Sequence, residues 1–182
     1  MRRIETRLDG LLMIEPDVHA DERGFFVETY QLARHADLGV EATFVQDNQS
    51  RSRRGTLRGL HFQTNPGQAK LVRVARGTIL DVVVDLRRSS RTFGEHEAVE
   101  LDDIAHRQLF VPIGFAHGFC VLSELADVAY KVSTYYDPST ESAVAWDDPA
   151  LGIDWRIEDP IVSDRDRLNP RIAESADALP DW

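Results

Sequence analysis

An arginine, a histidine and a lysine stand at Arg58, His61 and Lys70 within GTLRGLHFQTNPGQAKLVRVARG, residues 55–77, where two apolar strand-like runs flank a Pro-Gly turn. An imidazole is partly neutral near pH 7 and can serve as a general base, and a fixed ammonium can steady an enolate-like oxyanion. His61 and Lys70 therefore form a chemical pair, and Arg58 adds a guanidinium suited to phosphate. The same three residues read equally well as solvated polar groups on half-exposed strands. In a regular strand Arg58 and His61, three positions apart, face opposite ways. Gly59 lies between them, and a glycine inside a strand often marks a bulge. A bulge there is the geometric condition for Arg58 and His61 to share one pocket.

The elements that must position these groups are short strands. TFVQDNQS, TLRGLHFQ, KLVRVAR, TILDVVVDL, HEAVEL, RQLFVP, HGFCVLS and ADVAYKVSTYY follow one another from Thr43 onward, with Gly, Pro, Asn or Asp between most of them. That spacing predicts an all-β sandwich or barrel. Ahead of it, the apolar run Gly10–Ile14, the polar loop EPDVHADERG and the strand-like FFVETY form a hairpin-like start, and QLARHADL is a short helix stopped by Gly39. The segment 147–182 reads as loop with one short terminal helix.

Alternation along a strand assigns faces. Lys70 lies in line with Val72 and Val74, at a strand end that would be a barrel mouth, where its stem can snorkel outward. His117 aligns with Phe119 and Val121. Val128, Tyr130, Val132 and Tyr136 share one face, with Asp127, Lys131 and Ser133 on the other, so both tyrosines are expected to point inward. Tyr130 also reads as a core aromatic whose hydroxyl finds a partner.

The 182 residues fit a single domain, 42% hydrophobic and 29% charged, with no apolar run long enough to span a membrane. A net charge of −10 disfavours nucleic-acid binding through broad phosphate neutralisation. It leaves room for a small anion, and Arg51, Arg53, Arg54 and Arg58 form a local cluster that could hold a diphosphate or be a solvated loop. Against 19 arginines there are only two lysines, Lys70 and Lys131. The start of the chain carries no signal-like apolar segment, and Cys120, the single cysteine, has no internal disulfide partner, which makes the cytoplasm the default location.

Eight segments, DERGFFVE, FVQDNQS, LRGLHFQ, QAKLVRVARG, DVVVDLRRSSRTFG, VPIGFAHGF, AYKVSTYY and WDDP, occur in one order over about four-fifths of the chain. Between Asp21 and Asp166 the sequence resembles the dTDP-4-dehydrorhamnose 3,5-epimerases. The resemblance implies a cupin-like jelly-roll with a few short peripheral helices, a homodimer with strands from residues 1–30 at the interface, a dTDP-sugar substrate and no cofactor. It implies His61 as general base, Asp166 as its orienting carboxylate (Asp164 being the alternative), Tyr130 as general acid and Lys70 as the cation near the C4 oxygen. Arg23, Glu28, Gln46, Asn48, Arg58, His117, Tyr136 and Arg167 match positions that contact the ligand, Arg23 and Glu28 serving the partner subunit's site. Two readings stay beside this one. A single-centre C3- or C5-epimerase would keep the same catalytic residues. A metal-dependent cupin is remote: PIGFAH resembles half of a cupin metal motif, but LHFQ offers His61 followed by Phe62 and Gln63 in place of further ligands.

Overall fold

The computed structural model describes residues 1–175 and 179–182. In chain order its elements are β1 (Arg2–Glu5), β2 (Leu12–Glu15), β3 (Val18–Asp21), β4 (Gly24–Val27), α1 (Leu32–Asp37), β5 (Gln46–Arg53), β6 (Thr56–Gln63), β7 (Lys70–Arg76), β8 (Thr78–Asp85), β9 (His96–Asp102), β10 (Gln108–Val111), β11 (Phe115–Val121), β12 (Leu125–Val132), β13 (Glu141–Ala143), β14 (Ile161–Val162), α2 (Asp164–Arg167) and α3 (Ile172–Ser175). Every one of the eight runs predicted from Thr43 onward contains a strand. They build two sheets, β1-β2-β10-β7-β12-β5 and β13-β6-β11-β8-β9, with β14 added beside β6. This is the expected all-β, cupin-like jelly-roll.

Alternation sorts the side chains into layers. Val72, Val74, Ile79, Val83, Leu109, Phe115, Phe119 and Val128 meet between the two sheets. The opposite face of the second sheet buries Leu57, Leu60, Phe62, Leu80, Val82 and Cys120 under Trp155, Val162, Ile172 and Leu179 from the C-terminal segment. A smaller cluster around Leu12, Ile14, Leu71 and Phe110 is closed by Val40 and by the flanks of α1. Fully burying a Val or Leu contributes about 1.5–3 kcal/mol, so both faces of the second sheet are firmly held. Its inward-pointing polar residues have a rigid backing.

The condition placed on Gly59 is met. Along the β6–β11 pairing His117 faces His61 and Phe119 faces Arg58, so three steps on β6 span two on β11. One extra residue is accommodated at Gly59, whose φ of +140° is open to glycine and whose Cβ, if it had one, would stand 2.5 Å from Gly118 Cα. Gly118 is needed in turn, since a Cβ there would lie 2.7 Å from the Arg58 carbonyl oxygen. Two glycines on facing strands thus let the backbones approach.

Elsewhere the structure departs from the sequence reading. The polar residues 18–21, expected as loop, are β3, paired with β4 in an exposed two-stranded hairpin. Strand β12 ends at Val132, so Tyr136 is placed by the following turn and not by alternation. The segment 147–182 holds β14, α2 and α3 where one short helix was expected; residues 176–178 of that segment lie outside the described residues. Helix α1 falls within the predicted QLARHADL, with the Gln31 side chain accepting from Arg34 N and Gly39 at φ +98° beyond its end. Among the described residues no helix is long and apolar enough to cross a membrane.

Candidate active site

A cleft of about 480 Å³ opens at one end of the space between the sheets. Strand β5 supplies Gln46, Asn48 and Ser50; β6 supplies Arg58 and His61; β7 supplies Lys70; β11 supplies His117 and Phe119; and β12 supplies Tyr130. Tyr136, Glu141, Ser163, Arg165 and Asp166 complete the lining. Nine of the twelve expected site residues line the cleft, and Arg23, Glu28 and Arg167 do not.

His61 Nε2 lies 2.6 Å from Asp166 Oδ1. Asp166 is delivered by α2, whose first turn is capped by Ser163 Oγ accepting from Asp166 N. Asp166 is buried and Asp164 exposed, so Asp166 is the carboxylate that meets the imidazole. Burial pushes the Asp166 carboxyl up, but hydrogen bonds to His61, the Gly59 backbone and Ser163, with attraction to His61, hold it below the ordinary aspartate value. An ionised Asp166 accepts the Nε2 proton and fixes the tautomer, which leaves the Nδ1 lone pair as the basic site of the neutral ring.

Lys70 differs from expectation in direction. It is the first residue of β7, yet it is 8% exposed and turns inward, donating from Nζ to the His61 carbonyl oxygen at 3.2 Å. Burial lowers its pKa to about 8, with Glu141 and Asp81 pulling the other way. Below that pH Lys70 is a cation; above it the folded protein releases a proton that the unfolded chain still holds up to the ordinary lysine value. Its contribution to stability therefore grows with pH across that window while the cleft loses its charge. In the free enzyme kcat/KM is expected to fall along an alkaline limb near pH 8, and Lys70→Arg, which stays charged, should remove that limb. A pH profile of both proteins checks this; an identical limb in the variant would assign it to another group.

Tyr130 reaches the cleft from the sheet opposite His61. Burial raises its pKa, partly offset by the Arg58 charge, so the phenol keeps its proton at neutral pH. His117 is fixed by Asp81, whose oxygens lie 3.0 and 2.9 Å from Nε2. Gln46 donates to Asn48 Oδ1 at 2.9 Å and accepts from Tyr136 N at 3.1 Å, which ties the Tyr136 turn to β5. The Tyr136 hydroxyl donates to Glu141 Oε2 at 2.8 Å.

Arg167 is exposed and outside the lining, whereas Arg165 lies within it and pairs with Glu141. Successive residues of a helical turn point about 100° apart, and with Asp166 turned to His61 the neighbour on the cleft side is Arg165. Arg23 and Glu28 are spent locally, on Asp21 and Arg34, beside the exposed hairpin. Asp81, Glu141 and Arg165 were not singled out from the sequence. Asp81 carried a signal, being a carboxylate inside the apolar run TILDVVVDL. Among the described residues no group of three or more His, Cys, Asp or Glu side chains could hold a metal ion.

A family model described as dTDP-4-dehydrorhamnose 3,5-epimerase matches residues 5–174. The dTDP-4-dehydrorhamnose 3,5-epimerase of Methanothermobacter thermautotrophicus is 53% identical over 169 residues, 91% of either chain. The dTDP-4-dehydrorhamnose 3-epimerase of Streptomyces niveus is 42% identical over 180 residues, 98% of this chain and 87% of that one. The fold also matches the crystal structure of a dTDP-6-deoxy-D-glucose-3,5-epimerase from Legionella pneumophila in complex with dTDP-4-keto-L-rhamnose. The TM-score is 0.95 and the identity 45%, over 100% of this chain and 98% of that one. With the matched model spanning nearly the whole chain, and the fold and cleft already described, this protein belongs to the dTDP-4-dehydrorhamnose 3,5-epimerase family.

Proposed function

We propose that the protein epimerises dTDP-4-dehydro-6-deoxy-D-glucose at C3 and C5, giving dTDP-4-dehydro-L-rhamnose. The observation that carries this reading is that a carboxylate-held histidine and a protonated tyrosine enter one cleft from opposed sheets, with a buried lysine on β7 reaching the His61 backbone carbonyl. C3 and C5 are both alpha to the C4 ketone, so each carries an acidified proton. His61 takes that proton, the C–H electron pair moves through the enolate to the C4 oxygen, and the Lys70 charge stabilises it. Tyr130 returns a proton to the other face of the carbon, which inverts it. Exchange with solvent restores phenol and imidazole. The reaction is redox-neutral and uses no electron carrier.

Arg58, His117, Gln46, Asn48 and Tyr136 are assigned to the sugar, diphosphate and nucleoside. Arg165 takes the place given to Arg167. We assign the β3–β4 hairpin, with Phe25 and Phe26 59% and 70% exposed, to the interface of a homodimer, where Arg23 and Glu28 would reach the partner subunit's cleft. A cytoplasmic setting accords with the free Cys120 thiol.

A 3-epimerase among the relatives gives the single-centre reading a specific basis. Proton NMR of the substrate incubated with enzyme in D₂O decides. Loss of both the C3 and C5 proton signals is expected; loss of one alone establishes a single-centre epimerase, and loss of neither overturns the proposal.

A further inference from the structure

Two arginines line the cleft, and Arg165 is matched to a carboxylate, Glu141. Arg58 is held differently. Its Nε donates to the hydroxyl of Ser52 at 3.1 Å, and among the described residues it makes no ion pair. Ser52 sits on β5, 6% exposed, on the same inward face as Gln46, Asn48 and Ser50.

We propose that Ser52 is a positioning residue for phosphate recognition: its hydroxyl fixes the Arg58 guanidinium through Nε and leaves both terminal nitrogens to bind the diphosphate of the substrate. This deepens the reading given above and rests on it. A guanidinium binds phosphate best as a fork with two parallel N–H donors, and the side chain has several rotatable bonds to immobilise before that geometry is reached. Anchoring Nε removes part of that cost before the ligand arrives. The chemistry of the anchor matters as much as its position. A carboxylate at position 52 would hold Arg58 at least as firmly but would cancel its charge, and would compete with the phosphate oxygens for the same donors. A neutral hydroxyl orients the group and leaves its charge intact. Serine at a buried position of an otherwise polar inward face meets both requirements.

Arg58 lies on the N-terminal side of the bulge, where alternation with the buried Leu57 already turns it to the cleft, and the bulge brings His61 round to the same side. Ser52 and Arg58, six residues apart, meet across the connection at Arg54 and Gly55 that carries the chain from one sheet to the other.

The test compares the parent protein with Ser52→Ala, Ser52→Thr and Ser52→Asp, measuring kcat, KM and the affinities for dTDP and for thymidine. Immobilising one such side chain is worth roughly a 3- to 10-fold change in affinity. Ser52→Ala is therefore expected to raise KM and the dTDP dissociation constant by about that factor, to change kcat by less than about twofold, and to leave thymidine binding as it was. Ser52→Thr, which keeps the hydroxyl, should restore dTDP affinity, and Ser52→Asp should weaken it more than alanine does. Equal weakening of dTDP and thymidine, a fall in kcat at constant KM, or parent-like dTDP affinity in Ser52→Ala would overturn the proposal and assign Ser52 to packing. A parent protein that binds no dTDP would instead overturn the substrate reading itself.

Discussion

Replacing His61 by asparagine is expected to lower kcat by about two to four orders of magnitude, the usual worth of a general base. Asparagine keeps an amide that can donate toward Asp166, so the buried carboxylate is not left without a partner, yet it has no basic lone pair to take a proton from carbon. The 2.6 Å contact to Asp166 is what makes the substitution diagnostic. His61→Ala would also strip that carboxylate of its hydrogen bond and mix a packing cost with the chemical one. For His61→Asn the circular dichroism spectrum, melting temperature and dTDP affinity should stay near the parent values while turnover and hydrogen exchange at C3 and C5 collapse together. A variant that epimerises at near-parent rate would remove His61 from the role of base.

Tyr130→Phe separates the two halves of the reaction. Its phenol keeps its proton because burial raises the pKa. Without it the return of a proton from the opposite face should slow by about 10²–10⁴-fold, while His61 still removes and returns the proton on its own face. In D₂O the expected result is continued uptake of deuterium at the alpha carbons with little net inversion. Inversion at the parent rate would assign the acid to another donor in the cleft. Tyr136, the other tyrosine lining it, is tied by its hydroxyl to Glu141, which makes it the poorer donor.

The large features were legible because they depend on local pattern. Period-two alternation marked the strands from Gln46 to Val132, and the clash between that period and the spacing of Arg58 and His61 points to the bulge at Gly59 that the β6–β11 register shows. Features that depend on distant partners were not legible. Strand β1 has only four residues, and its pairing to β2 gives it identity. Strand β3 is four residues long and exposed on both faces, so hydrophobic periodicity could not mark it. Asp81 meets His117 across 36 residues and Arg165 meets Glu141 across 24, separations that only the sheet order closes. The choice of Arg165 over Arg167 turns on the phase of a four-residue helix, which a short polar segment does not reveal.

The extra residue at Gly59 has a consequence for how errors are excluded. Leu57 and Leu60 lie three apart and are buried in the same layer, so the apolar pattern of β6 carries the same phase slip as its functional residues. Were the strand to pair with β11 without the slip, every residue beyond Gly59 would exchange sides: Leu60 and Phe62 would enter the polar cleft, and His61 would be pressed into the apolar layer under Trp155. No intact core can then coexist with a mis-set site through this register error. Hydrophobic burial proofreads the placement of the histidine, and the accuracy of the active centre is inherited from the thermodynamics of the layer behind it.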